Sequence, residues 1–140
     1  MEEYHFIYPI QIRYGDIDPQ WHVNNARYLT YLDLARIHYW KNLGLWDGES
    51  FVDYGLVLAD IHISYLRSIT LLDSIQVGIR IVSIGNKSLR FDYLIEPTDK
   101  TFVFARADSV NVAFDYHQKK SFPIPQTWRE KISAFEGKNF

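Results

Sequence analysis

The sequence predicts an α+β domain: one long helix wrapped by a curved, largely antiparallel β-sheet, with a short helix at the C-terminus. Three observations carry this. Residues 25–43 show a helical apolar pattern covering most of the helix circumference, four later segments alternate apolar and polar residues, and turn-forming residues separate them. At 140 residues the chain is long enough to bury a core and too short to argue for two domains, so 1–140 is read as one domain.

Residues 4–14 have strand character and end at Gly15, where the stretch GDIDPQ gathers Gly, two Asp and Pro, a turn composition. The loop runs to about residue 24. From Asn25 to Leu43 the chain reads as helix, with Asn24 or Asn25 as N-cap and Gly44 as the stop. On a helical wheel Tyr28, Tyr31, Leu32, Ala35, Tyr39 and Leu43 form a wide apolar arc. Leu29, Leu34, Ile37 and Trp40 occupy much of the remainder, which leaves Thr30, Asp33 and Lys41 as a thin polar stripe and predicts burial on most sides. Residues 55–69, 73–84, 87–96 and 101–115 read as four successive strands. Gly85-Asn86 and Pro97-Thr98-Asp99-Lys100 suit hairpin links, so a meander is expected. Pro125 opens the last helix and Gly137 stops it. One sheet covers one side of a helix, so the surplus apolar surface, with aromatics at 16% of the chain, predicts pairing with a second copy.

Composition narrows the function classes. Fifteen Lys and Arg against seventeen Asp and Glu give a net charge of −2, which offers no general attraction to nucleic acid or anionic membranes. The absence of cysteine removes disulfides and thiolate metal sites, and fits a reducing compartment, so the expected location is cytoplasmic. Neither an export signal nor a membrane span is indicated. Phosphate-loop, HExxH and paired-Cys motifs are missing, and no metal or cofactor is expected.

The candidate chemistry lies in RYGDIDPQWHVNNARY, residues 13–28. Asp16 and Asp18 are both ordinary turn formers, yet this loop leads into a helix N-terminus, where free amides and the helix dipole stabilise a developing oxyanion. A carboxylate beside such a place can act as nucleophile or general base. His22 is either a second acid or base or a capping group. Asn24 and Asn25 are N-cap candidates, and one of them can also position substrate or water. Asp33 and Arg36, three apart, read as an ion pair. Asp60, His62 and Ser64 share one strand face, but their backbones rise about 6.6–6.8 Å per step, which does not build a hydrolase triad.

The run Asp16-Ile17-Asp18-Pro19-Gln20-Trp21-His22-Val23-Asn24-Asn25, followed by Tyr28, Tyr31, Ala35 and Arg36, resembles the hotdog-fold acyl-CoA thioesterases of the 4-hydroxybenzoyl-CoA thioesterase type. Ile63-Ser64-Tyr65-Leu66-Arg67, Leu72-Asp73-Ser74-Ile75-Gln76-Val77 and Pro123-Ile124-Pro125 extend the resemblance over nearly the whole chain. It implies a hotdog fold, a homodimer assembling to a homotetramer with sites at the subunit interface, and hydrolysis of an acyl-CoA. Asp18 would be the catalytic carboxylate, with His22 and Asn25 assisting. Amides of Val23, Asn24, Asn25 and Ala26 would polarise the carbonyl. Trp21, Tyr28 and Tyr31 would wall the acyl group, and Arg67 and Arg90 would meet coenzyme A phosphates. Trp21 stands where many members have Gly, which sets a bulky ring beside the reacting loop, while Ser68 and Leu72 replace a frequent Pro and Gly. The alternatives are a thioesterase acting on acyl groups of a carrier protein and a non-catalytic acyl-CoA-binding module.

Overall fold

The computed structural model describes residues 3–140. Strand β1 (Phe6–Ile10) leads through a 3-10 turn (Tyr14–Asp16) to helix α1 (Asn25–Asn42), followed by β2 (Leu56–Tyr65), β3 (Ile75–Ile84), β4 (Ser88–Pro97), β5 (Ala105–Asp115), the short β6 (Lys120–Ser121) and α2 (Gln126–Glu136).

Local chemistry sets the ends of α1. The side chain of Asn24 accepts the Ala26 N–H, and Gly44 follows the helix at φ +73°, a conformation open to glycine and costly for other residues. Tyr28, Tyr31, Leu32, Ala35, Tyr39 and Trp40 are buried against Val77, Ile79 and Ile81 of β3 and Phe91, Tyr93 and Ile95 of β4. Burial is not all round, however. The helix packs on β1 and β3, and Leu34 remains 38% exposed, so one flank is open.

All pairings are antiparallel, in the order β1-β3-β4-β5-β2, with β6 on β5. β3, β4 and β5 form the expected meander. β2 departs from it: instead of lying beside β3 it pairs with β5, from Leu56↔Ala113 to Tyr65↔Ala105, and becomes the outer strand. The segment 66–74 carries the chain from that edge across to β3, so the extended run that alternation projected to residue 69 stops at Tyr65. β1 is also shorter than projected, because the Asp16 side chain accepts the Arg13 N–H and closes the 3-10 turn.

α2 seals the far end. Pro125 is its N-cap, Gly137 its left-handed stop, and Glu136 reaches inward to accept the Tyr39 hydroxyl at 2.6 Å and the Ile81 N–H at 3.1 Å. Asp33 and Arg36 do pair, but Arg36 is buried and its guanidinium also donates to the Tyr93 hydroxyl at 2.8 Å. Among the described residues no helix is long and apolar enough to cross a membrane.

Candidate functional site

The loop between the 3-10 turn and α1 is a small closed hairpin. Ile17 and Val23 bridge its base, the Asp18 N–H donates to the His22 carbonyl at 2.9 Å, and the Trp21 N–H donates to the Asp18 carbonyl at 3.0 Å. Pro19 occupies the second position of that turn, where its fixed φ is favourable. Trp21 then adopts φ +66°, the left-handed conformation that a hairpin of this kind normally fills with glycine.

The two aspartates take different places. Asp16 is buried: one carboxylate oxygen, Oδ2, accepts the Arg13 N–H at 3.0 Å and the Tyr31 hydroxyl at 2.7 Å, and Arg27 stands 3.6 Å from the other. Burial, with Asp16 alongside, pushes the Tyr31 hydroxyl well above its ordinary pKa, so it remains a donor. Asp18 is partly exposed. Its Oδ1 accepts the Gln20 N–H at 2.9 Å and the His22 N–H at 3.4 Å, while Oδ2 has no hydrogen-bond partner among the described residues.

Asp18, His22, Val23, Asn25, Tyr28 and Arg67 line one open depression of about 390 Å3, together with Gln20, Tyr65, Leu66 and Ser68. Its walls are sewn together across the chain. The Val23 N–H donates to the Ile69 carbonyl at 2.8 Å, the Tyr28 hydroxyl to the Arg67 carbonyl at 3.4 Å, and the Tyr65 hydroxyl to the Asn25 carbonyl at 3.2 Å. Tyr28 and Tyr65 meet edge to face at 4.9 Å, and the Arg67 guanidinium lies over the Phe102 ring at 4.3 Å.

The helix start offers fewer amides than its sequence suggested. Val23 donates to Ile69, Asn24 to the Asp16 carbonyl at 2.8 Å, and Ala26 to the Asn24 side chain at 2.9 Å. Only the Asn25 N–H is left open among these positions, because an Asn N-cap with a tied-down approach satisfies the others. Other candidates lie elsewhere. Tyr31 is turned to Asp16 and does not line the depression. Trp21 and Ala26 face neighbouring hollows that also touch Asp18. Arg90 is on the outer sheet face, donating to Asp108 at 3.0 Å. His62 is likewise on that face, 4.0 Å from Asp108, and makes no triad.

Tyr65, Gln20, Leu66 and Ser68 were not named as site residues from the sequence. The signal for Tyr65 was available in part: it stands in the same run as Arg67, two residues before it, but its neighbourhood with Tyr28 depends on β2 lying at the sheet edge.

The chain has known relatives in sequence and in fold. Residues 12–132 match the model of the thioesterase-like superfamily, and the chain belongs to that family. The long-chain acyl-CoA thioesterase FadM of Escherichia coli (strain K12) is 30% identical over 128 residues, spanning 88% of this chain and 93% of FadM. The structure of a Thermus thermophilus thioesterase complexed with coenzyme A and Zn superposes with a TM-score of 0.86 at 34% identity, covering 99% of both chains. A predicted thioesterase from Bacillus stearothermophilus follows at a TM-score of 0.84 and 25% identity, covering 93% of this chain and 95% of its own. The curled antiparallel sheet around a long helix is thus the hotdog fold.

Proposed function

We propose that this protein hydrolyses acyl-CoA thioesters to a carboxylic acid and coenzyme A, as a hotdog enzyme of the 4-hydroxybenzoyl-CoA thioesterase type. The observation that carries this is the pairing of an unbonded carboxylate oxygen, Asp18 Oδ2, with the one open amide of the helix start, Asn25 N–H, in the same depression. The relatives' activities support the substrate class.

Thioester hydrolysis needs little more. The leaving thiolate is a tolerable one, so the barrier lies in addition to the carbonyl carbon. Asn25 N–H, at the positive end of the helix dipole, takes the developing negative charge on oxygen. Asp18 either adds directly, expelling the thiolate and leaving an anhydride that water opens, or removes a proton from water as it adds. Its hydrogen bonds from Gln20 and His22 hold Oδ1 and leave Oδ2 free to meet the carbonyl. Tyr28 and Tyr65 flank the reacting carbon, and Arg67, fixed on Phe102, faces the coenzyme's phosphates. Single turnover in 18O-water tests the direct route: label entering the Asp18 carboxylate identifies an anhydride opened at the enzyme's own carbonyl, and trapping the acyl-enzyme with hydroxylamine detects an anhydride opened at the acyl carbon.

The working unit is a homodimer. β2 has one ladder partner along ten residues, and Val57, Leu58, Tyr65 and Leu66 on or just beyond it are exposed. Such an edge is a template for pairing with a second copy. Tyr65, Leu66 and Arg67 belong both to that edge region and to the depression, which sets the site beside the interface, with further assembly to a homotetramer.

A further inference from the structure

The surface around Asp18 is divided. On one side lies the depression already described, rich in groups that hydrogen-bond: Gln20, His22, Asn25, Arg67 and Ser68. On the other lies a second hollow of about 320 Å3, formed by Tyr14, Ile17, Pro19 and Trp21, in which Asp18 is the only charged residue. Asp18 belongs to both, and also to a third hollow that carries Asn24, Ala26, Arg27 and Thr30. Of the three, the Tyr14–Trp21 hollow alone is walled by apolar and aromatic side chains apart from Asp18, so it suits the apolar arm of a thioester centred there.

We infer that the Tyr14–Trp21 hollow is the seat of the acyl chain and sets acyl preference, while the pantetheine and phosphates take the polar side. The inference rests on the thioesterase reading and adds which substrate part lies where. The chemistry of the two halves matches the two arms of the substrate: a hydrocarbon chain seeks apolar walls, and the coenzyme arm carries amides and phosphates. The ring positions point the same way. Tyr14 is 78% and Trp21 76% exposed, an aromatic pair held open beside the reacting carboxylate. Trp21 holds that place at φ +66°, a backbone conformation that a side-chain-bearing residue adopts at a cost. Glycine would fit the turn without strain, yet an indole stands there with most of its surface exposed, so packing inside the monomer does not account for it. A chain in the hollow covers both rings, gaining affinity with each methylene buried between them.

The test is the dependence of kcat/KM on acyl length, measured on purified protein with saturated acyl-CoAs from acetyl to dodecanoyl by thiol release. Full burial of a methylene corresponds to about a fourfold gain. In the wild type the gain per added methylene is expected at about twofold to fourfold until the hollow is full. In Trp21→Gly it falls toward one, in Tyr14→Ser it falls part of the way, and in Trp21→Phe it is retained. Because the slope is a ratio within each variant, a general loss of activity does not imitate it. Trp21→Gly relieves the positive φ, and its Tm is expected to equal or exceed that of the wild type. Parallel length profiles in wild type and Trp21→Gly would overturn the inference, as would a steeper profile in the variant, which would make the indole a barrier. A fall in oligomeric mass of Trp21→Gly with parallel profiles would assign the hollow to a second copy instead. A wild type active on acyl-CoA with an unaltered slope in the variants removes this inference alone; a wild type that hydrolyses no acyl-CoA removes the thioesterase reading and the inference with it.

Discussion

Asp16 and Asp18, two residues apart, take different places because their oxygens meet different partners. Asp16 is spent on structure, tying Arg13, Tyr31 and the helix start together. Tyr31→Phe leaves that buried carboxylate short of a donor and should lower unfolding free energy by about 1–3 kcal/mol in denaturant titration, with the depression's residues unaltered. Asp18 anchors its turn through Oδ1 alone. An asparagine oxygen accepts the same two N–H groups, so Asp18→Asn should fold like the wild type and lose turnover by about 10²–10⁴-fold, seen in thiol-release assays beside matching melting curves. By residue type both aspartates were turn formers on equal terms, and only the resemblance picked out Asp18. The wheel buried the Tyr31 ring, but no local pattern records that its hydroxyl meets Asp16. The same limit applied to the helix amides: the cap Asn24 was legible from residue type, whereas the acceptors for Val23 and Asn24, Ile69 and Asp16, come from chain brought close only by the fold.

At the scale of elements, α1 was legible to within a residue, because it carries a helical period between a capping Asn and a terminating Gly. The strands were legible where alternation met a short turn, as from β3 to β4, and less so at β2. The β2–β5 ladder pairs residues some forty to sixty positions apart, and nothing in either strand names its partner. Arg36 shows a related blindness: a residue three from Asp33 reads as a surface ion pair, but Tyr93, bonded onward to Ser109, draws it into the interior. α2 offers a test of how an element is docked. Glu136 satisfies the Tyr39 hydroxyl and the Ile81 N–H beside the bulge in β3. Glu136→Ala removes the shared acceptor of both donors at once and should cost about 2–4 kcal/mol, read as a lowered denaturant midpoint, with α2 the first segment to gain hydrogen exchange. An unchanged midpoint would mean that apolar packing around Ile132 alone holds the helix.

At the scale of the whole molecule, the interior holds several tyrosine hydroxyls kept protonated by burial. Burial pushes Tyr39 and Tyr93 above their ordinary value and Tyr54 up to about 12. In the unfolded chain these groups ionise near pH 10, so above it the unfolded state binds fewer protons than the native one and stability falls as pH rises. The expected slope is about 1.4 kcal/mol per pH unit for each such tyrosine, beginning near pH 10 and absent below it. Urea midpoints from pH 8 to 11.5 check this, and a flat profile would contradict the burial. The open β2 edge makes a second molecular claim: light scattering should report at least a dimer, and a stable monomer would remove the interface from the site. The most direct measurement for the central claim follows thiol release from short, long and aromatic acyl-CoAs by wild type and Asp18→Asn side by side, with folding of both verified. Turnover in the wild type that is lost in the folded variant is the predicted result; a wild type that releases no thiol, or an Asp18→Asn protein of full activity, would contradict it.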